Sequence, residues 1–429
     1  MQKISIMMHG FILLALLAAC ATPAGSGAQA SIAQSSKPRE THPNVPSGDL
    51  QQLATDNRAF AFDLFQQLRG QKGNLFFSPH SISVALAMAY AGAHGSTEQQ
   101  MRQSLQFNLP AANLHPAFNA LQLELAKREK DQQDDSQTHF KLSVVNALWG
   151  QTGYKFLPNF LDVLALNYAA GMRLLDYKTD PEAARKVINA WVANQTADKI
   201  QDLIPQQAIN QASILVLTNA IYFNAPWQNQ FQESQTRPGP FTLLDGAQIN
   251  VPLMHLTQSY SYAHKNDLSV VELPYAGGQV AMVLLVPDAG KFNEVEQGLT
   301  DAQWNALRLE IKPVQVNLAL PKFTFTAEFT LNDPLIRMGI TDAFDGAKAD
   351  FSGMDGGHSF FISSVLHKAF IKLDEQGTEA AAATAVAIST SALQADPVEL
   401  KVDRPFFFLI QDKPTGTILF MGRVINPLQ

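Results

Sequence analysis

An alanine-rich segment with a two-residue period limits the folds open to this 429-residue chain. Residues 378–390 place Thr, Ala, Val or Ile at every second position, and the alternate positions begin with Glu379 and continue mainly with Ala. As a strand, the segment would turn its β-branched side chains toward a core and Glu379 toward water. A helix capped by Thr378 and an exposed loop are the alternatives, but neither explains the period. The segment therefore predicts a latent strand whose small leading side chains could slide between two existing strands.

The remaining pattern predicts one mixed domain of the α+β class over residues 50–429, with helices mostly early and strands mostly late. No second linker and no repeat interrupts it. Helices are predicted for residues 81–90, from a capping box at residues 96–99, and for residues 181–196. Strands are predicted for residues 141–149, for residues 213–223, which are apolar enough to be buried on both faces, and for residues 314–325. Hairpins are predicted to turn at residues 277–278 and 413–416.

The first residues are typical of an export signal and not of a folded element. Residues 1–19 contain Lys3 and an apolar stretch too short for an ordinary membrane span. The sequence Leu-Ala-Ala-Cys that ends at Cys20 resembles a bacterial lipobox, in which the cysteine is lipidated. Residues 20–49 are rich in Ala, Ser, Gly, Gln and Pro, so a flexible tether is expected. We therefore expect an extracytoplasmic domain, either lipid-anchored to the bacterial outer membrane, on its periplasmic or surface face, or secreted.

Composition and motifs exclude several classes of function. The net charge of −7 argues against nucleic-acid binding, and a single cysteine permits neither an internal disulfide nor a cysteine-based zinc site. No metal site and no cofactor are expected. No motif of a hydrolase, metalloprotease or nucleotide-binding enzyme is present. His94, His264 and His367 could each join a serine and a carboxylate, but such scattered sets occur in almost any chain of this size, so no enzyme activity is predicted.

Several short motifs, in one order along the chain, resemble those of the serpin family of serine protease inhibitors. They are Asn-Leu-Phe-Phe-Ser-Pro at 74–79, Asn-Ala-Ile-Tyr-Phe at 219–223, Leu-Pro-Lys-Phe at 320–323, His-Lys-Ala at 367–369, Arg-Pro-Phe at 404–406 and Phe-Met-Gly-Arg-Val at 420–424. The resemblance covers nearly everything after residue 50. It implies a single domain with a large central β-sheet, further sheets, a helical cluster and an exposed reactive-centre loop.

The resemblance also assigns residues. It places the reactive loop hinge at Glu375, Gly377, Thr378, Glu379, Ala380, Ala381, Ala382, Ala383 and Thr384, with Thr378 entering the sheet first. It places the reactive-site bond between Ser391 and Ala392. A polar cluster beneath the opening of the sheet, which we call the shutter, comprises Ser78, Ser81, Asn219 and His367. The breach at the top of the sheet comprises Lys322, Glu375 and Trp227, where an ion pair helps to hold the loop out.

The family implies a suicide-substrate mechanism, in which the cleaved loop inserts into the main sheet and traps the acyl-enzyme. The implied partner of a monomeric chain is a serine protease held covalently; some serpins also trap cysteine proteases. No Arg or Lys lies between Thr378 and Leu400, which argues against trypsin-like targets. The small Ser391 favours elastase- or subtilisin-like targets, and Leu393 or Ile388 could instead serve chymotrypsin-like proteases. Gln376 and residues 224–226 depart from the family pattern. A non-inhibitory binding protein, a substrate-type serpin and a surface hydrolase remain the alternatives.

Overall fold

The computed structural model describes residues 29–130, 140–378 and 396–429. Ten α-helices lie within these ranges: α1 (Ser47–Leu68), α2 (Pro79–Tyr90), α3 (Gly95–Ser104), α4 (Ala111–Lys130), α5 (Pro158–Tyr168), α6 (Pro181–Gln195), α7 (Phe292–Gly298), α8 (Asp301–Arg308), α9 (Asn332–Arg337) and α10 (Ser352–Asp355). Short 3-10 helices occupy Glu233–Gln235 and Asp342–Phe344.

The described residues also form sixteen strands. They are β1 (Ser31–Ala33), β2 (Leu75–Phe77), β3 (Lys141–Gln151), β4 (Met172–Leu175), β5 (Leu215–Pro226), β6 (Arg237–Thr242), β7 (Gln248–Lys265), β8 (Leu268–Pro274), β9 (Val280–Pro287), β10 (Lys312–Pro321), β11 (Phe323–Thr330), β12 (Ile362–Leu373), β13 (Gly377–Thr378), β14 (Val398–Lys401), β15 (Phe406–Asp412) and β16 (Thr417–Val424). The chain is therefore α+β, as the sequence predicts.

A seven-stranded sheet, which we call the main sheet, has the strand order β1-β4-β3-β5-β13-β12-β11. Strand β5 lies at its centre and is buried along nearly its whole length, which confirms the expectation for residues 213–223. Its alternate side chains enter two different cores: Leu217 and Ile221 join the large core, whereas Val216 and Ala220 pack toward α6. A strand covered on both faces must be apolar at successive positions, and this explains the continuous run of hydrophobic residues.

A nine-stranded sheet, the second sheet, closes the large core from the other side. Its order is β14-β10-β7-β8-β9-β15-β16-β2, and β6 pairs with β7. The predicted hairpins at residues 277–278 and 413–416 are confirmed, because they join β8 to β9 and β15 to β16. Helix α2 packs between the two sheets, against β16 on one side and β3 and β5 on the other, and α1 packs against α2 and β16. Ser78 caps α2 by accepting a hydrogen bond from the Ser81 backbone at 3.2 Å.

Two local predictions are wrong. The single strand predicted for residues 314–325 is two strands, β10 in the second sheet and β11 in the main sheet, because the chain changes sheet at Lys322. The predicted capping box does not form: the N-cap of α3 is His94 and not Ser96, and the Ser96 hydroxyl donates to Asp342 at 2.7 Å instead of capping the helix. A tertiary hydrogen bond has replaced the local one.

The structure also corrects the expectation of a flexible tether for the part of residues 20–49 that it describes. Residues 31–33 form β1, which pairs with β4 at the edge of the main sheet. Lys37 pairs with Asp162 of α5 at 2.7 Å, and Arg39 donates to Asn119 and Gln122 of α4. The polar composition of this segment suits hydrogen bonding to the domain, a property that low hydrophobicity alone does not reveal. Within the described ranges, no helix is both long enough and apolar enough to cross a membrane.

Candidate functional site: a partly filled slot in the main sheet

The slot lies between β5 and β12, which pair directly over one part of their length and are separated by β13 over another. From Ile362 to Phe370, β12 pairs directly with β5 in parallel. Above this region the two strands part, and β13 lies between them and runs antiparallel to both. Thr378 pairs with Ala225 on one side and with Leu373 on the other. The main sheet therefore already contains the first two residues of an additional central strand.

Thr378 is fixed in the slot by a buried hydrogen bond. Its side chain is 1% exposed, and its hydroxyl lies 2.7 Å from the hydroxyl of Tyr275. Burial raises the pKa of Tyr275 well above its usual range and outweighs the opposing effect of the Thr378 hydrogen bond, so the phenol stays neutral. The inward direction of Thr378 is the one that the two-residue period predicts for this position.

Gly377 can enter the slot only because it has no side chain. Its φ of +155° lies in a region that favours glycine. A Cβ atom would lie 2.7 Å from Cα of Pro226 and still closer to the carbonyl oxygen of Ala225. The backbone of β5 therefore leaves no room for a side chain at position 377, and only glycine fits there.

The three breach residues of the sequence analysis meet directly above the slot. Lys322 forms an ion pair with Glu375 at 2.7 Å, and Thr236 donates to the same carboxylate at 2.6 Å. Burial tends to raise the pKa of Glu375, but the hydrogen bonds from Lys322 and Thr236 outweigh it, and the pKa falls below its usual value. Trp227 donates from its indole nitrogen to the carbonyl oxygen of Asp374 at 3.0 Å, and its ring stacks on Tyr275 at 4.6 Å.

The four shutter residues also lie together, lower in the sheet, and the structure adds a fifth, Asn146. Asn146, Asn219 and His367 stand side by side on β3, β5 and β12, and we call them the polar row. Asn219 donates to Asn146 and, at 2.5 Å, to the hydroxyl of Ser81. Asn146 interrupts the apolar half of the predicted strand, between Val145 and Ala147, and this was its signal in the sequence.

The hydrogen bonds of His367 define its tautomer. The backbone N–H of Ser78 donates to Nε2 at 3.3 Å, so Nδ1 carries the hydrogen and donates to the Asn219 carbonyl oxygen. Burial lowers the pKa of His367 to about 3, and the ring is therefore neutral at physiological pH. Each hydrogen bond of the polar row is thus made between neutral groups.

The remaining assigned residues are those that follow Thr378, together with Cys20. Hinge residues Glu379, Ala380, Ala381, Ala382, Ala383 and Thr384, the reactive-site bond Ser391–Ala392 and Cys20 lie outside the described residues. Their roles stay predictions.

Comparison with known proteins is consistent with this architecture. A model of the family described as serpin (serine protease inhibitor) matches residues 55–427. An uncharacterized serpin-like protein of Thermococcus kodakarensis is 38% identical and covers 92% of this chain and 90% of its own length. Leukocyte elastase inhibitor of Homo sapiens is 36% identical over 88% of this chain and 100% of its own. The crystal structure of tengpin, a thermophilic serpin, in its native state aligns with a TM-score of 0.80 at 27% identity, over 93% of this chain and 100% of tengpin.

Burial of neutral His367 predicts a dependence of stability on pH. The unfolded chain takes up a proton near pH 6.5, whereas the folded chain resists it until about pH 3. Stability is therefore complete above pH 6.5 and falls as the pH is lowered toward 3. Glutamine can accept from Ser78 and donate to Asn219, so we expect His367→Gln to reduce the slope of unfolding free energy against pH by about 1.4 kcal/mol per unit between pH 6 and 4.

Denaturant titrations at several pH values would measure this slope. Buried His80 and His115, whose pKa values burial lowers to about 4, keep a residual slope in the variant. His42→Gln, at an exposed histidine, is the control and should leave the slope as in the unsubstituted chain. An identical slope in His367→Gln and the unsubstituted chain would contradict the neutral assignment.

The tight fit at Gly377 predicts that Gly377→Ala lowers the free energy of unfolding by about 1–3 kcal/mol, because the added methyl group must displace β13 or β5. Chemical denaturation would measure the loss. Gly48→Ala is the matched control, since nothing lies within 4 Å of a Cβ at this helical position. A loss no greater than that of the control would show that β13 does not occupy the slot in solution.

Proposed function

Because the chain belongs to the serpin family, we propose that it inhibits serine endopeptidases as a suicide substrate. In this mechanism the catalytic serine of the protease attacks the carbonyl carbon of Ser391. The peptide bond to Ala392 breaks, the new amine leaves with a proton, and Ser391 stays bound to the protease as an ester. The freed loop then inserts into the main sheet before water can hydrolyse the ester.

The observation that carries the proposal is the position of β13. Thr378 already lies between β5 and β12, and the next residues of the chain are the small ones of the predicted latent strand. Pro226, one of the departures from the family pattern, pairs with Gly377. The hinge has thus passed this position, and a proline there does not block entry.

The energetics of the sheet favour further insertion. The existing contact between β5 and β12 is parallel, and a strand continuing from β13 would replace it with two antiparallel ladders. Antiparallel pairing is slightly more stable per residue, and one ladder of hydrogen bonds becomes two. At roughly 0.5–1.5 kcal/mol net per hydrogen bond, about a dozen inserted residues would release on the order of 10 kcal/mol. That free energy is available to distort the active site of an attached protease.

The hydrogen bonds of the shutter can be broken at low cost when β5 and β12 separate. Insertion must separate Asn219 from His367, which are paired across β5 and β12. The hydrogen bonds lost there are made between neutral groups, and polar atoms of an inserted backbone can replace them. Separation of a buried ion pair at this point would cost far more.

The loop sequence favours targets that accept a small side chain before the cut. Ser391 fits the shallow pockets of elastase- and subtilisin-like proteases, and the 36% identity to human leukocyte elastase inhibitor supports the elastase class. The proposed partner is one protease molecule bound covalently to one inhibitor, and cysteine proteases form a second class of target. If insertion is slower than deacylation, the chain acts as a substrate. A non-inhibitory binding protein is the separate alternative.

This proposal predicts that the full chain forms a complex with an elastase- or subtilisin-type protease that survives boiling in detergent, with release of a peptide beginning at Ala392. A charge at residue 378 would be buried, because Thr378 is 1% exposed and its hydroxyl lies beside the neutral phenol of Tyr275. We therefore expect Thr378→Arg to slow insertion and convert at least nine-tenths of the inhibitor into cleaved product. Electrophoresis and sequencing of the released peptide give both results.

Thr152→Arg, at an exposed threonine on a turn, is the matched control and should trap protease as the unsubstituted chain does. Unchanged trapping by Thr378→Arg would refute insertion through the slot. Cleavage of the unsubstituted chain without a complex, across a broad protease panel, would favour the non-inhibitory alternative.

We further propose that Cys20 is lipidated and anchors the domain to a bacterial outer membrane. The lipobox-like sequence before Cys20 supports this proposal. When the full chain is expressed in a bacterial host supplied with radioactive palmitate, label should enter the protein and be absent from Cys20→Ser. Label retained by Cys20→Ser, or absent from the unsubstituted chain, would contradict lipidation at this residue.

A further inference from the structure

A cavity of about 250 Å³ lies between α2, α4 and β3. Strand β3 pairs with the edge of β5 that is opposite to the slot. The apolar wall of the cavity includes Val84 and Met88 of α2 and Leu142 and Val144 of β3. An apolar cavity of about 150 Å³ holds a benzene molecule, so this one has room for about ten non-hydrogen atoms. It is large enough for one aromatic ring with a short polar group.

Arg39 brings an uncompensated positive charge to this cavity. The residue belongs to the docked N-terminal segment, lines the cavity and is partly buried. Its Nε and Nη2 atoms donate to the neutral amide oxygens of Asn119 and Gln122, at 2.7 and 2.8 Å. No carboxylate pairs with it among the described residues, and burial alone lowers the pKa of the guanidinium. Its Nη1 atom has no protein partner in the described ranges, and a partly buried guanidinium in this state favours an anion.

His80 adds a second unsatisfied group. It lines the cavity, is 1% exposed, and its Nδ1 atom has no hydrogen-bond partner among the described residues. Buried polar atoms without a partner are rare in folded proteins and require a reason, such as a bound molecule. Glu129 also lines the cavity, but it is exposed and its charge is screened by water. The wall is therefore mixed, because Gln122, Asn146 and Tyr168 line it beside the apolar side chains.

We propose that this cavity binds a small aromatic monocarboxylate of about the size of phenylacetate. The ring would pack against Val84, Leu142 and Val144, and the carboxylate would pair with Arg39. The site differs from the protease-binding loop, and the proposal does not depend on inhibitory activity.

The test is calorimetric titration of the full chain with phenylacetate, at concentrations up to the millimolar range. Phenylacetamide, which keeps the ring and loses the charge, and acetate, which keeps the charge and loses the ring, are the comparison ligands. We expect phenylacetate to bind at least tenfold more tightly than either. Arg39→Gln should weaken phenylacetate at least tenfold and leave phenylacetamide unchanged.

Two further variants locate the site. Val144→Phe fills the cavity and should abolish binding of phenylacetate, provided that the variant unfolds as cooperatively as the unsubstituted chain. Lys37 lies two residues from Arg39 in sequence, is exposed and pairs with Asp162. Lys37→Gln removes its charge and should change the affinity for phenylacetate less than twofold. Absence of phenylacetate binding overturns the proposal. So do equal affinity for phenylacetamide, equal affinity for acetate, or unchanged affinity in Arg39→Gln.

Discussion

The pairing of β5 with β12 is the contact on which the arrangement of the main sheet depends. The two strands are neighbours in parallel over most of their length, although they are separated above Phe370 by two residues of β13. An extra strand at the centre of a sheet gains hydrogen bonds on both of its edges, so the slot is a place where added chain lowers the free energy. The slot stays filled only at its top because the residues needed to fill it belong, in the proposed mechanism, to an intact loop.

The polar row crosses β5 and β12 below the slot, where the two strands are still paired. An apolar cluster at the same place would bind β3, β5 and β12 together by packing that an inserted backbone could not replace. Asn146, Asn219 and His367 instead exchange hydrogen bonds in a neutral network. Such a network specifies one arrangement while it is closed and leaves polar atoms that can bond to a new strand when it opens. Neutrality depends on burial, which lowers the pKa of His367.

The docked N-terminal segment connects the edge of the main sheet to the helices beside it. β1 extends the sheet beyond β4, and the residues after it contact α4 and α5. The same segment supplies Arg39 to the cavity next to β3, whose Asn146 belongs to the polar row. Residues that have the composition of a linker thus contribute both to the sheet edge and to the proposed ligand site.

Sequence alone determined the family, the fold class and the residues of the slot, because local patterns carry that information. The apolar run of β5 required burial on both faces, and the two-residue period that begins at Thr378 predicts the inward direction that this residue has. Tertiary structure decided the rest. Lys322 divides one predicted strand between two sheets. Asn146 joins a polar row whose other two members lie 73 and 221 positions away in sequence, and the hydroxyl of Thr378 contacts that of Tyr275. These outcomes depend on contacts between residues that are distant in sequence. The free energies of such contacts exceed local conformational preferences, and no short window of sequence contains both partners.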